Sequence, residues 1–222
     1  MSGKLRIAID GPSGSGKSTL GRALARRLGL PYVDTGAMYR AVAWVVAEAG
    51  LESAEEVVER LARLELTINP DPDDFRVSVD GVDVTDRLRD PEVSKAAAKV
   101  AAIEEVRSWM VPRQKSAARG GGVLEGRDIG TVVLPDADHK FFITSDEATR
   151  MSRRAAQLGE ASDGARVVED VRERDRIDRT RRVSPLRAAA DAVHIDTSRQ
   201  TVEESVEAML DAIGGDSHPD AV

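Results

Sequence analysis

The sequence of 222 residues predicts an α/β protein with a five-stranded parallel sheet flanked by helices. Three observations support this prediction. Short apolar segments alternate with helical patterns along the chain, as in proteins with parallel sheets. A glycine-rich loop stands between the first apolar segment and the first helix. A stretch with period-two alternation interrupts the pattern and predicts a small antiparallel β insert.

The first elements follow from local patterns. The segment LRIAI (5–9) is apolar and predicts a buried strand. A helix begins near Lys17, because Leu20, Leu24 and Leu28 recur on one face, and Gly29 is placed to end it. The segment PYVDT contains a second strand. Helices are predicted up to Gly50 and over 54–64.

The insert is predicted at about residues 64–90, where Phe75, Val77, Val79, Val82 and Val84 alternate with polar residues. Asp80-Gly81 is a hairpin signal within it. A helical pattern follows over 92–119, with Pro112 as a possible break. The later elements are strands at 121–126, 139–144 and 192–197, a helix at 201–214 and a disordered tail at 215–222.

Composition restricts the function. The net charge of −7 argues against a general nucleic-acid binder. The chain has no cysteine, which excludes disulfides and thiol catalysis, and no apolar run approaches the length of a membrane span. We therefore expect a cytoplasmic protein without a membrane or nucleic-acid partner. Eleven arginines lie between Arg150 and Arg187; about half of them are accounted for by a solvated, ion-paired helix face.

The eight residues Gly11, Pro12, Ser13, Gly14, Ser15, Gly16, Lys17 and Ser18 match the pattern G-x-x-x-x-G-K-[ST]. The pattern follows a predicted strand and opens a helix, which is the context of a phosphate-binding P-loop. Backbone N–H groups and the helix N-terminus would cradle an anion. Lys17 would reach the β- and γ-phosphates, and the Ser18 hydroxyl would ligate Mg²⁺. The alternative is a plain glycine-rich turn.

Three classes of protein share such a loop. A regulatory GTPase would read guanine with N-K-x-D, but Asn69, the one asparagine, precedes proline. A motor or helicase would need further signature segments that the chain lacks. A small-molecule kinase remains. Phosphoryl transfer to a phosphate acceptor needs alignment and arginines more than a strong base, because the acceptor is already anionic at neutral pH.

Five segments together identify a family. They are IDGPSGSGKST, DTGAMYR, VSKAAAKVAAIEEVR, EGRDIGTVVLPDA and RERDRIDRTR…SPL. In this order and spacing, over residues 7 to about 197, they resemble the bacterial cytidylate kinases, which are nucleoside monophosphate kinases. The resemblance implies transfer of the γ-phosphate of ATP to CMP or dCMP with Mg²⁺, giving ADP and CDP or dCDP.

The resemblance also implies a domain organisation. Residues 1–36 and 120–214 would form the P-loop NTPase core, with a helical lid at about 150–170. Residues 37–119 would form the acceptor-binding region that includes the β insert. The lid would be open without ligand and would close over both substrates, excluding water. We expect a monomer.

The resemblance assigns roles to individual residues. The expected ATP-binding residues are Gly11 to Ser18, Thr19 and the lid arginines Arg153 and Arg154. The expected CMP-binding residues are Thr35, Tyr39, Arg40, Arg107, Arg127, Asp128, Arg174, Asp178 and Arg181. Lys17, Arg127 and Arg181 would be catalytic. Asp128 would accept a hydrogen bond from the cytosine amino group, which favours cytosine over uracil.

Structural alternatives stand beside these roles. Tyr39 is also compatible with simple core packing. Arg127 and Asp128 are compatible with a surface ion pair of small energetic value. Arg174, Asp178 and Arg181, spaced four and three apart, are compatible with a ladder of salt bridges along one helix face.

One position departs from the family. Many members have a serine that contacts cytosine where this chain has Ala98. The discrimination against UMP is therefore open, with Ser94 or Lys95 as candidates for compensation. Two other functions are also open: a P-loop kinase for another nucleotide or for a metabolite such as shikimate, and a nucleotide-binding module without turnover.

Overall fold

The computed structural model describes residues 4–158 and 164–215. Its strands are β1 (Arg6–Asp10), β2 (Tyr32–Asp34), β3 (Leu66–Asn69), β4 (Arg76–Val79), β5 (Val82–Asp83), β6 (Gly122–Gly126), β7 (His139–Thr144) and β8 (Val193–Asp196). Its α-helices are α1 (Lys17–Leu28), α2 (Thr35–Glu48), α3 (Ala54–Ala62), α4 (Pro91–Val100), α5 (Glu104–Ala117), α6 (Glu147–Leu158), α7 (Gly164–Thr180) and α8 (Val202–Gly215).

Five strands form one parallel sheet in the order β2-β6-β1-β7-β8. β1 is central, and it pairs in register with β6 from Arg6↔Gly122 to Asp10↔Gly126. The sheet is flanked by helices, so the strand residues Ile7, Ile9 and Leu124 are fully buried. The predicted fold class is confirmed. Because all five strands run the same way, the loops that follow β1, β2 and β6 meet at one edge.

The helices begin and end where local signals place them. Gly29 follows α1 with a φ of 63°, and the N–H of Leu30 donates to the carbonyl of Ala25 at 2.9 Å. The leucines of α1 face the sheet, with Leu20 and Leu24 buried. Ser53 and Glu56 form a reciprocal capping box at the start of α3.

The predicted break at Pro112 is wrong. Pro112 lies inside α5, which continues through it, and the chain breaks instead between α4 and α5. There Ile103 has extended backbone (φ −73°, ψ 121°). The Arg107 guanidinium donates to the Ala101 carbonyl at 3.4 Å, which is the carbonyl that a continuous helix would pair with the N–H of residue 105. A contact with the Arg107 side chain therefore replaces a helical hydrogen bond at the break.

The insert forms an antiparallel sheet in the order β3-β4-β5, as predicted. Phe75, Val77 and Val79 are buried along one face, and Val84 is buried beyond β5, whereas Val82 is exposed. Asp80 and Gly81 form the two-residue turn, with φ values of 49° and 80°. The Asp80 carboxylate accepts hydrogen bonds from Arg60 and from the N–H of Glu65, which ties the turn to the end of α3.

Some predictions lie outside the described residues. Most of the predicted tail at 215–222 falls there, and α8 ends at Gly215. The middle of the predicted lid, residues 159–163, also falls there. Within the ranges that the structure describes, no helix is both long and apolar enough to span a membrane.

The Asp80-Gly81 turn generates a stability prediction. Gly81 has a φ of 80°, which strains any residue with a Cβ, so Gly81→Ala should lower the free energy of unfolding by about 1 kcal/mol. Gly214→Ala is the matched control, because Gly214 lies in α8 without a positive φ and with no atom within 4 Å of the added Cβ. Urea unfolding of the two variants checks this. Equal stability of both would contradict the strained turn.

Candidate active site

One cavity lies at the carboxyl edge of the parallel sheet, between the phosphate loop, α2, α4 and α7; we call it the central cavity. It contains most of the residues that the sequence predicted for substrate binding. These are Ser13, Gly14, Gly16, Lys17, Ser18, Thr19, Thr35, Tyr39, Arg40, Arg127, Asp128, Arg154, Arg174, Asp178 and Arg181. The structure therefore brings the segments GPSGSGKS, DTGAMYR and EGRDIG into one site, as the sequence indicated.

The phosphate loop joins β1 to α1 and is shaped by its glycines. Gly14 and Gly16 have φ values of 74° and 92°. The Ser15 hydroxyl donates to the Pro12 carbonyl at 3.0 Å and holds the loop closed on itself. Gly11, Pro12 and Ser15 support the loop without lining the central cavity. A Cβ on Gly11 would lie 2.2 Å from the Ile143 carbonyl oxygen, so only glycine fits there.

Lys17 folds back onto this loop. Its Nζ donates to the Pro12 carbonyl at 2.6 Å and lies 3.4 Å from the Ser15 hydroxyl. Burial and the neighbouring Arg127 lower the pKa of Lys17 to about 7, against the opposing effect of Glu125. An anion beside Lys17 would favour its charged form.

Ser18 forms a hydrogen bond that the sequence did not predict. Its hydroxyl donates to Glu125 Oε1 at 2.5 Å, and the Tyr32 hydroxyl donates to the same oxygen at 3.2 Å. Burial raises the pKa of Glu125, and the nearby Asp34 raises it further. Glu125 stands at the end of β6 and lines the central cavity. A buried carboxylate therefore lies directly beside the phosphate loop.

Arg40 is held by Asp34. The Arg40 guanidinium donates to Asp34 Oδ2 at 2.8 Å, while Asp34 Oδ1 accepts from the N–H of Ala37 and caps α2. Burial raises the pKa of Asp34, but Arg40 and the Ala37 N–H outweigh it and lower the pKa below the usual value. Thr35 donates through its hydroxyl to the Glu125 carbonyl at 2.7 Å. Arg40 is thereby presented to the central cavity by a cap residue.

At the far end of the central cavity, Asp128 lies between two arginines. Asp128 Oδ2 accepts a short hydrogen bond from Arg107, and Arg181 Nη2 lies 3.5 Å from Oδ1. All three side chains are buried, which excludes the surface ion pair considered from the sequence. Arg107 sits behind Asp128 rather than on the cavity wall, with its guanidinium 5.6 Å from the centre of the Tyr39 ring.

Arg127 and α7 form a second charged group. Arg127 Nε donates to Asp178 Oδ2 at 2.8 Å. Burial and the neighbouring Arg127 together lower the pKa of Arg174 to about 10. Arg174, Asp178 and Arg181 all line the central cavity, so they face a shared space rather than a ladder on solvent. Six cationic and four acidic side chains line this cavity.

The two predicted lid arginines line different cavities. Arg154 lines the central cavity. Arg153 donates to the hydroxyl and the carbonyl of Thr197, both at 2.8 Å, and lines a neighbouring cavity of about 280 Å³ near the start of α8. This α8 cavity also contacts Gly14, Gly16 and Thr19 of the phosphate loop region. The loop thus lies between two cavities.

Ala98 lines the central cavity, and neither candidate for compensation does. Ser94 and Lys95 lie farther along α4, in an adjoining cavity. Lys95 Nζ lies 3.7 Å from Asp170 Oδ1 on α7. The missing hydroxyl at position 98 is therefore not replaced from these two positions in the central cavity.

Asp10 ties the two halves of the site together. It ends β1 immediately before the phosphate loop, and its carboxylate accepts from the N–H groups of Ile129 and Gly130, both at 2.7 Å. The π-helical turn Ile129–Val133 follows directly on Asp128. The phosphate loop and the loop that carries Asp128 are thus joined through one buried carboxyl group.

Comparison with known proteins gives the family. The cytidylate kinase family model matches residues 7–214. The chain belongs to the cytidylate kinase family. The resemblance inferred from the sequence is confirmed, and the ATP-dependent phosphorylation of CMP and dCMP predicted with it is the activity that family membership supports.

Relatives cover nearly the whole chain. The cytidylate kinase of Mycolicibacterium paratuberculosis is 45% identical over 220 residues, which is 96% of each chain. The cytidylate kinase of Pelotomaculum thermopropionicum is 47% identical over 211 residues, or 92% of this chain and 93% of that protein. Among solved structures, an uncharacterized protein from Eubacterium ventriosum shares the fold, with a TM-score of 0.55 and 15% identity. The match covers 97% of this chain and 100% of that protein.

Sequence reasoning missed four residues of this cytidylate kinase family site: Asp10, Asp34, Glu125 and Arg150. Arg150 Nη1 on α6 donates to the Ser13 carbonyl at 3.0 Å and contacts Asp175 at 2.5 Å. Three of the four lie within the quoted motifs, in IDG, DTG and EGRD. The sequence signal for these three was a charged residue at the end of a predicted buried strand, because ligands bind at the carboxyl ends of parallel strands. Nothing in the local sequence of Arg150 indicates its contact with the phosphate loop.

Asp10 generates a pH-dependent stability prediction. Burial raises its pKa from 3.8 to about 7, against the effect of the two N–H donors. Between about pH 4 and pH 7 the native state therefore binds more protons at Asp10 than the unfolded state does, so this contribution to stability falls as pH rises. Asp10→Asn should be most destabilising near pH 4.5, with the loss shrinking towards about pH 7.5.

Urea unfolding of wild type and Asp10→Asn across this range measures the difference. Asp136→Asn is the matched control, because Asp136 is an exposed aspartate whose pKa the Arg6 hydrogen bond lowers. Its effect should not shrink as pH rises. A destabilisation by Asp10→Asn that grows with pH would contradict the raised pKa.

Proposed function

We propose that the central cavity binds ATP and CMP or dCMP end to end and transfers the γ-phosphate to the acceptor phosphate. The observation that carries this proposal is the convergence of a phosphate loop, five arginines that line the cavity and a buried Asp128. The five arginines are Arg40, Arg127, Arg154, Arg174 and Arg181. Two polyanions repel each other, and an excess of buried positive charge is what such a pair requires.

The donor phosphates are assigned to the loop at residues 11–18. Inward N–H groups and the N-terminus of α1 suit an anion, and Lys17 is the charged contact for the β- and γ-phosphates. The adenosine end is assigned to the α8 cavity, because that cavity borders the same loop at Gly14 and Thr19. Arg153 lies in its wall, and Arg154 lies on the side of the transferred phosphate.

The acceptor base is assigned to the end of the central cavity at Asp128. Asp128 Oδ2 is engaged by Arg107, which leaves Oδ1 to accept from the cytosine amino group. Uracil has an oxygen at this position and would face the carboxylate without a donor. Tyr39 forms part of the wall, and Arg107 and Arg181 hold the Asp128 carboxylate in place.

The acceptor phosphate and sugar lie nearer the loop in this assignment. Arg40 and Arg127 are the contacts for the acceptor phosphate, and Thr35 lies beside it. Arg174 and Asp178 are the contacts for the ribose. Arg181 is placed between the base and the transferred group. Burial lowers the pKa of Arg181, and a phosphate would supply the counter-charge that favours its protonated form.

Mg²⁺ is assigned to Ser18 with Glu125. Mg²⁺ prefers oxygen ligands and usually combines one or two carboxylates with substrate phosphates and water. Ser18 donates its proton to Glu125, which leaves the hydroxyl lone pairs for a cation. No group of three or more acidic or histidine side chains suited to a metal occurs in the described ranges, so the phosphates complete the site. When bound, the ion would neutralise charge on the transferring group.

The chemistry needs no strong base. The acceptor phosphate is largely dianionic near neutral pH, because its second pKa is about 6. One of its oxygens attacks the γ-phosphorus, the bond to the β-phosphate oxygen breaks, and ADP leaves with that oxygen. The roles of Lys17, Arg127 and Arg181 are to align the two phosphates and to stabilise the charge that develops between them.

Several broader assignments belong to this proposal. Residues 1–36 and 120–214 form the core, residues 37–119 the acceptor-binding region with the insert at about 64–90, and residues of about 150–170 the lid. The lid closes over both nucleotides and excludes water. We also propose a cytoplasmic monomer, which sedimentation of the purified chain would test.

The proposed activity predicts the outcome of an acceptor panel. With ATP and Mg²⁺, CMP and dCMP should give kcat/KM values at least about tenfold above those of UMP, AMP, GMP and shikimate in a coupled ADP assay. Lys17→Met should abolish turnover, because it removes the charged contact to the donor phosphates. Its unchanged circular dichroism serves as the folding control. Stimulation of ADP release by none of the acceptors would indicate a binding module without turnover.

The base assignment predicts a change in selectivity. Asp128→Asn should lower the ratio of kcat/KM for CMP over UMP by about tenfold or more, because the amide no longer presents a charged acceptor. The matched control is Asp191→Asn, since Asp191 also pairs with a buried cation, Lys140, but lies outside the central cavity. An unchanged ratio in Asp128→Asn, with KM for ATP also unchanged, would remove Asp128 from the base site.

A further inference from the structure

A buried ion pair connects α6, α7 and the phosphate loop; we call it the Arg150–Asp175 pair. Arg150 Nη1 on α6 donates to the Ser13 carbonyl at 3.0 Å and to Asp175 Oδ2 on α7 at 2.5 Å. The two side chains are 9% and 11% exposed. Neither residue lines the central cavity or the α8 cavity. The mechanism proposed above gives this pair no role.

The backbone of α6 also packs directly against the phosphate loop. A Cβ on Gly14 would lie 2.8 Å from the Arg150 carbonyl oxygen and 3.2 Å from the Arg150 Cβ. Glycine allows this close approach of two backbone segments. Arg150 therefore contacts the loop twice, through its main chain at Gly14 and through its guanidinium at Ser13. A shift of the loop at these residues cannot leave Arg150 in place.

The other end of the pair lies on the helix that carries proposed acceptor contacts. Asp175 directly follows Arg174 and precedes Asp178 by three residues, and both of these neighbours line the central cavity. Burial lowers the pKa of Arg127, but the surrounding carboxylates, chiefly Asp178 and also Asp175, outweigh it and raise the pKa above the usual value. Asp175 thus acts on the acceptor side through the position of α7 and through its charge.

Asp175 carries an energetic cost that stability does not explain. Among the residues that the structure describes, Asp175 Oδ1 is buried and has no hydrogen-bond partner. Replacing a buried ion pair by apolar side chains is often neutral or stabilising, so a half-satisfied one calls for another reason. A second pair, Arg172 with Glu147, joins the same two helices at 2.6 Å on the exposed surface. Of these two connections, only the buried one includes the phosphate loop.

We propose that Arg150 and Asp175 are positioning residues that link the phosphate loop to α7, so that ATP and the acceptor nucleotide each strengthen the binding of the other. The inference rests on the proposed function, which places the donor phosphates on the loop and the acceptor against α7. A phosphate held by the loop fixes Ser13, and Arg150 transmits that position to Asp175 and the neighbouring acceptor contacts. The coupling is reciprocal, because one free energy is shared by both ligands. The pair touches neither nucleotide.

The experiment measures the Kd of CMP by isothermal titration calorimetry, first alone and then with saturating Mg²⁺ and the non-hydrolysable ATP analogue AMP-PNP. The ratio of the first Kd to the second is the coupling factor, which should be about fivefold or more in wild type. The double variant Arg150→Met/Asp175→Asn removes both charges and leaves no unpaired buried charge. Its coupling factor should fall to about one, while the Kd of CMP alone stays within about threefold of wild type, because the acceptor contacts remain.

Glu147→Gln/Arg172→Met is the matched control, because this pair joins the same two helices without contacting the phosphate loop. Its coupling factor should equal that of wild type, and circular dichroism shows whether each variant is folded. A merely structural contact would lower stability without changing the coupling factor. If the double variant does not fold, Asp175→Asn decides, since its amide oxygen still accepts from Arg150 while the charge is lost. Its coupling factor should lie between those of wild type and one.

Three results would overturn the inference: a coupling factor of one in wild type, a factor equal to that of wild type in the folded Arg150 and Asp175 variants, or an equal loss in the control pair. Absence of CMP binding to wild type, both alone and with AMP-PNP, would instead refute the proposed function, and the inference with it.

Discussion

The whole site depends on a set of buried arginines that are paired with acidic side chains but still leave an excess of positive charge. Three arginines are paired with acids that the fold places beside them: Arg40 with Asp34, Arg127 with Asp178, and Arg107 with Asp128. These pairs prevent the cost of an isolated buried charge. Six cationic side chains still face four acidic ones in the central cavity, so a positive excess remains. Burial, together with the neighbouring Arg127, lowers the pKa values of Lys17 and Arg174, so an anion in the central cavity would favour the charged form of both.

The same charges make the fold and the activity interdependent. The parallel sheet brings the ends of β1, β2 and β6 together, and Asp10 then joins the phosphate loop to the turn after Asp128. On the opposite side, Arg150 bonds both the phosphate loop and Asp175 on α7. A movement of α7 would therefore be transmitted through Arg150 to the phosphate loop. Such links hold separate parts of the chain in one geometry around the central cavity. Phosphoryl transfer requires this, because the two nucleotides must be aligned with each other.

Features with a local cause could be predicted from the sequence. The strands, the helix ending at Gly29, the hairpin at Asp80-Gly81 and the phosphate loop depend on residues near one another in the chain. Features with a distant cause could not. The helix break lies at Ala101–Ile103 rather than at Pro112, and at this break Arg107 bonds the Ala101 carbonyl while it pairs with Asp128. Glu125 reaches Ser18 from β6, across more than a hundred residues.

By itself, the sequence determined the fold class, the family and the identity of most charged residues in the cavity, because motifs and hydrophobic periodicity record local geometry. Only the tertiary structure decided which acid pairs with which arginine, that Arg107 stands behind Asp128, and that Arg153 and Arg154 face different cavities. The physical reason is that an ion pair depends on distance in space, which the order of residues along a chain does not contain. The contact of Arg150 with both Ser13 and Asp175 likewise exists only because α6 packs beside α7 and the phosphate loop.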